Sequence, residues 1–184
     1  MKNIKKINRL FNFSTIIIFG LSSISHFAYK WSGYNDFIGA FVPTNESIFQ
    51  HIKMIFYTIS LYYFITYIIF SKKFDIDGKK YFLAPIITIF LTSFIVVGNY
   101  YMFKNGFNID SMFIDISSLI IGLLLSSFIS KHIYHIKNIT RFSGYASLFA
   151  IFVLSITITF FQLNPLKVDF FYDNENHTYY EVYK

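Results

Sequence analysis

The sequence contains no cysteine and little charge. Asp, Glu, Lys and Arg make up 14% of its 184 residues, against about 25% in an ordinary soluble domain. Proline occurs three times and tryptophan once. The missing cysteines exclude a disulfide scaffold, a thiol nucleophile and a Cys-ligated metal centre. Serines are plentiful, but no G-x-S-x-G elbow is present to make one a nucleophile. There is also no P-loop, no dinucleotide fingerprint and no H-E-x-x-H.

Apolar and aromatic surface is abundant. The chain is 54% hydrophobic and 22% aromatic, with 25 Phe and 15 Tyr, and its mean hydropathy is +0.47. That composition excludes a disordered chain. It also exceeds what one soluble core of this length hides. The formal charge of +6 is a nucleic-acid signal only if the basic residues form a patch, so their placement decides.

Spanning a bilayer takes about 20 predominantly apolar residues. Five segments qualify, at about 10–29, 46–70, 81–102, 111–130 and 142–163. The expected fold is all-α: a polytopic bundle of five transmembrane spans forming one domain over 1–163, with a tail over 164–184 packed on it. The basic MKNIKKINRL before the first span resembles a signal-peptide n-region. The bulky SHFAYKW after it offers no small-x-small cleavage site, so the span is read as retained.

The basic residues sort by side. Lys2, Lys5, Lys6 and Arg9 precede the first span. Lys72, Lys73, Lys79 and Lys80 lie between the second and third, and Lys131, Lys137 and Arg141 between the fourth and fifth. With five spans, all eleven face one compartment. The positive-inside rule makes that side the cytoplasm and places the C-terminus outside the cell membrane. The charge therefore belongs to topology. The bilayer is the expected partner and nucleic acid is not. His132 and His135 lie in this basic interfacial region, where lipid headgroups are the simplest partner.

The first outer loop, KWSGYNDFIGAFVPTN, is rich in helix breakers but carries Phe37, Ile38, Phe41 and Val42, so it is expected to fold back onto the bundle. Thr44 or Asn45 is the expected cap of the second span, with Glu46 at the positive helix end. In the tail, VDFFY and HTYYEVY flank Asp173-Asn174-Glu175-Asn176, which predicts a short β-hairpin resting on the bundle.

Each span carries a stripe of small or hydroxyl residues at helical spacing, such as Thr15, Ser22, His26 and Tyr29 in the first, or Ser118, Gly122, Ser126 and Ser130 in the fourth. Such faces turn toward other helices in lipid. The ionisable residues His26, Lys30, Glu46, His51, Lys53, Asp110 and Asp115 gather at the outer span ends. Some suit helix-end electrostatics. Lys53 can snorkel outward or meet Glu46. Intramembrane charge is expensive and marks a functional site, so His26, Asn45, Glu46, His51, Lys53 and Asp115 are the candidate ligand-binding residues. A zinc-like divalent metal would take His26, His51 and Asp115 as ligands, with Glu46 as catalytic base. Against this, residues 46 and 51 lie about 140° apart on a continuous helix.

The stretch from Ser25 to Lys53 resembles an uncharacterised family of small bacterial membrane proteins, a domain of unknown function. Its pattern is H-x-x-Y-x-W-S-G, a short gap with a Gly, then N-E-S-x-[WF]-E-H-[LI]-K. Here those positions are His26, Tyr29, Trp31, Ser32, Gly33, Gly39, Asn45, Glu46, Ser47, Phe49, His51 and Lys53, with Gln50 replacing the second acid. The resemblance implies that the region from His26 to Lys53 forms one unit on the outer face, and it implies no activity. Three functions stay open: an outer polar pocket binding a ligand, lipid or partner; a small permease, which needs polar groups through to the inner side; and a metal-assisted membrane-embedded hydrolase.

Overall fold

The computed structural model describes residues 2–137 and 139–180. Its elements are α1 (Lys2–Trp31), α2 (Asp36–Gly39), α3 (Ile48–Phe74), α4 (Gly78–Tyr81), α5 (Leu83–Tyr100), α6 (Met112–Tyr134) and α7 (Arg141–Leu163). A π-helical turn, Tyr101–Gly106, extends α5, and a 3-10 turn, Asp169–Phe171, lies in the tail. Five stretches are long and apolar enough to cross a membrane: Asn3–Trp31, Ile48–Phe74, Gly78–Gly106, Met112–Tyr134 and Phe142–Leu163. They match the five expected spans. The first begins earlier than expected, because the basic N-terminal stretch is itself helical.

Local chemistry sets the helix ends. Ser47 caps α3 by accepting from the Gln50 N–H. Lys72 and Lys73 sit in its last turn, and Asp75 closes it at φ 54° in the left-handed region. Pro85 falls in the first turn of α5, where an N–H has no intrahelical partner to lose. The cap of α3 is thus Ser47 rather than Thr44 or Asn45, because the chain bends through residues 44–47 and becomes helical only at Ile48. The outer loop also holds the short helix α2, capped by the Asn35 side chain.

The outward faces leave large apolar side chains uncovered, among them Ile16, Phe94, Phe113 and Phe149. Contiguous apolar surface on this scale suits a bilayer and not water. Inward, the hydroxyl stripes meet one another. Ser22 pairs with Thr58 at 3.0 Å, Thr88 with Ser130 at 3.2 Å and Thr92 with Ser126 at 3.2 Å. The Ser127 hydroxyl donates to the Phe11 carbonyl. Gly122 lets α6 close on α5: a Cβ there would sit 3.0 Å from the Thr92 Cα. These contacts are the helix packing expected of small residues in lipid.

The helices alternate direction, so the bundle has two ends. At the N-terminal end, Lys131 donates to the Asn12 side chain, and Tyr134 accepts from the Asp77 N–H. Just inside, Phe11 packs among Tyr63, Tyr81 and Tyr134 with ring centroids 5.6–6.3 Å away. The opposite end holds the end of α1, α2, the start of α3, the end of α7 and the tail.

Among the described residues no strand supports the expected hairpin. The described part of the tail has one isolated antiparallel bridge, Asp173 with Thr178. The residues of the expected first arm form the 3-10 turn Asp169–Phe171 instead of a strand. Phe171 is buried against Phe49, at 4.6 Å between ring centroids, and against Phe161. His177 turns the chain at φ 54°. Residues 181–184, the end of the expected second arm, lie outside the described residues.

Candidate functional site

Glu46 lies just before α3, in the segment from Pro43 to Ser47, whose other members are buried. Asn45 holds this segment from both sides. Its side-chain oxygen accepts from the Ser47 N–H at 3.0 Å, and its amide donates to the Tyr180 carbonyl at 2.9 Å. The backbone N–H of Glu46 donates to the Asp173 carboxylate at 3.0 Å. With its main chain fixed, the Glu46 side chain faces α1 and the first turn of α3.

There it meets two histidines. Glu46 Oε2 is 3.3 Å from His26 Nε2 and 3.6 Å from His51 Nε2. The three side chains are 28%, 35% and 29% exposed for His26, Glu46 and His51, so the cluster is open to its own end of the bundle. One ligand atom from each lies within 4.8 Å of the others. The helical-wheel objection to pairing residues 46 and 51 falls away, because Glu46 precedes the helix and a wheel angle does not apply to it.

The two ends of the His51 ring are distinct. Nδ1 lies 3.0 Å from the Ser47 carbonyl oxygen. A carbonyl only accepts, so Nδ1 carries the hydrogen, and the other nitrogen is directed at Glu46. The hydrogen bond from His26 holds the Glu46 carboxyl below its ordinary value, outweighing burial and the nearby Asp173 carboxylate, which pull it up.

Asp173 organises the tail around this site. It is fully buried. One oxygen accepts from the N–H groups of Glu175 and Asn176, and the other from the Glu46 N–H and the Asn176 amide. Burial alone would raise its carboxyl, but these four hydrogen bonds to the ionised form hold it below the ordinary range.

Behind the cluster lies a buried polar network. Lys53 is fully buried, and its ammonium donates to the Gly39 carbonyl at 2.8 Å and to Gln162 Oε1 at 2.7 Å. Gln162 also accepts from Gln50 and donates to Thr44. The network ties α2, α3 and α7 together. Lys53 points inward, and the ion pairs of Glu46 are with the histidines. Of the sequence candidates, His26, Glu46 and His51 therefore converge, while Asn45 and Lys53 serve as scaffold beside them. Asp115 is exposed on α6 and is not a member of the three-residue cluster. Asp110 pairs with Lys104 at 3.0 Å.

Asp173 and Gln162 were not among the candidate site residues. A faint signal existed for Asp173. It heads a run of turn formers, and an Asp whose carboxylate accepts from the N–H groups two and three residues on builds such a turn itself. Nothing local signals its reach to Glu46, 127 residues away.

Chemically, two imidazoles converging on one carboxylate can share a proton or hold a cation. The chain belongs to DUF6512, a family of unknown function whose match covers residues 1–180. No curated protein and no solved structure matches it.

Proposed function

We propose that this member of the family is a multi-pass protein of the cell membrane that binds a ligand on its extracytoplasmic face, at the cluster of His26, Glu46 and His51. The observation that carries this reading is the convergence itself: three ionisable side chains from α1, the pre-α3 segment and α3 meet at one partly exposed point. Exposed ionisable groups alone would be unremarkable, but these are positioned by a buried framework of Asn45, Asp173, Lys53 and Gln162. Surface decoration needs no such framework. The basic residues at the opposite end support a cytoplasmic N-terminus.

The interior favours a binding protein over a permease. Toward the N-terminal end the helix interfaces hold hydroxyls bonded to one another and the Phe11–Tyr63–Tyr81–Tyr134 cluster, and among the described residues no Asp, Glu, Lys, Arg or His is buried there to continue a polar route.

The natural absence of cysteine makes the test clean, because an introduced thiol is the only one. A membrane-impermeant thiol reagent added to intact cells is expected to label Glu46→Cys. It is expected to miss Lys73→Cys until the membrane is opened. Labelling in the reverse order would overturn the orientation. No labelling of Glu46→Cys from either side would overturn an open site. A reporter fused after Lys184 is expected to be active only outside the cytoplasm.

A further inference from the structure

We propose that the cluster binds a divalent transition-metal ion of the zinc class, held by His26 Nε2, His51 Nε2 and the Glu46 carboxylate. This deepens the reading above and rests on it for solvent access to the site. Three observations carry it.

The first is spacing. With metal–ligand bonds of about 2.0–2.2 Å, two ligand atoms of a tetrahedral ion stand about 3.4 Å apart. The two edges that Glu46 makes with His26 and His51 are 3.3 and 3.6 Å. Along these two edges the donor atoms already stand roughly at the separation that a shared small ion imposes, and the third edge, between the histidines, is within 4.8 Å.

The second is the orientation of His51. Its Nδ1 hydrogen is engaged by the Ser47 carbonyl, so neutral His51 presents the Nε2 lone pair to the cluster. That lone pair faces a carboxylate oxygen, and both can only accept. The pair therefore takes a cation between its two atoms, which a proton or a metal ion supplies. Metal-bound histidines characteristically donate their second nitrogen to a carbonyl or carboxylate in this way, which fixes the ring and raises its basicity.

The third is the donor set and its support. Two imidazoles and one carboxylate make three protein ligands, the number that leaves a fourth position open to water or substrate. The carboxylate is carried on backbone that Asp173 and Asn45 hold from both sides. The set differs from the one expected in sequence, since Glu46 is a ligand and Asp115 is not.

The test uses the full chain, purified in detergent and stripped of metal, with Co²⁺ as a spectroscopic probe and Zn²⁺ as competitor. The expected result is one saturating equivalent of Co²⁺ with a ligand-field band of tetrahedral type, displaced by Zn²⁺. His26→Ala and His51→Ala should abolish saturable binding. Should either fail to fold, Glu46→Gln is the decisive variant, because it keeps side-chain volume at a partly exposed position. Loss of the band in Glu46→Gln, at an unchanged elution profile, supports the site. Absence of saturable binding in the wild type, or an unchanged band in the variants, overturns it.

The two readings fail separately. A wild type that binds no metal while Glu46→Cys is labelled from outside ends the metal site and leaves the outer-face reading intact. A metal-binding wild type whose Glu46→Cys is labelled only after the membrane is opened ends the outer-face reading and leaves the metal site intact.

Discussion

The carboxylate of Asp173, fully buried in the tail, accepts the backbone N–H of Glu46 at 3.0 Å. This contact joins the last described segment of the chain to the residue at the centre of the candidate site. Replacing the carboxylate by an amide removes acceptor capacity and turns a donor toward donors. Asp173→Asn is expected to lower stability by about 1–3 kcal/mol, the range for leaving buried polar groups unsatisfied. A thermal melt in detergent measures it, and an unchanged midpoint would contradict the role assigned here. Metal affinity should weaken in the same variant by about 10–100-fold, as for other groups that position a ligand.

The same carboxyl predicts a pH dependence. Its value in the folded protein is depressed, so its contribution is fully present above the ordinary carboxylate range. It is lost as pH falls through the folded value. The protection factors of the Glu175 and Asn176 amides against hydrogen exchange should be high at neutral pH and fall only in acid, below the ordinary carboxylate range. Asp173→Asn should remove that transition. Equal protection of the wild-type tail at both pH values would count against it.

Gly122 permits α6 to approach α5, and an added Cβ would meet the Thr92 backbone and side chain at 3.0 Å. A larger side chain must separate the helices and stretch the Thr92–Ser126 pair. Gly122→Val is expected to destabilise by about 1–3 kcal/mol. Gly20, with nothing within 4 Å of its would-be Cβ, is the control: Gly20→Ala should be neutral or slightly stabilising. Equal melting of both variants would refute the close-packed interface.

Gln162 serves Lys53, Gln50 and Thr44 at once. Gln162→Leu keeps much of the volume but takes one acceptor from a buried ammonium. Hydrogen bonds to charged groups contribute about 1.5–3 kcal/mol, so a loss of that order is expected in the melt. The network links α3 and α7, so proteolysis should become faster near the end of α7. A variant as stable as the wild type would show that the network is dispensable.

Much of the architecture was legible along the chain. Each span is a run of apolar residues, and crossing a bilayer depends on the composition of that run alone. The stripes that include Ser22, Thr88 and Ser126 were readable because helical spacing places them on one face, and the faces do meet. The site was legible only as a list. His26, Glu46 and His51 could be named as ionisable residues near one end of the bundle. Asp115 sits near the same end by the same reasoning, yet it stays outside the cluster.

What separates these residues is tertiary. The position of Glu46 depends on whether α3 begins before or after it. That boundary is set by the Ser47 cap, by Asn45 and by a carboxylate 127 residues away in the tail. The tail in turn lies where Phe171 packs on Phe49 and Phe161. A run of residues carries its own hydropathy, so the sequence alone determined five helices long and apolar enough to cross a membrane. Contacts between distant segments have no local signature, so only the folded structure decided that two histidines and a glutamate would share one point.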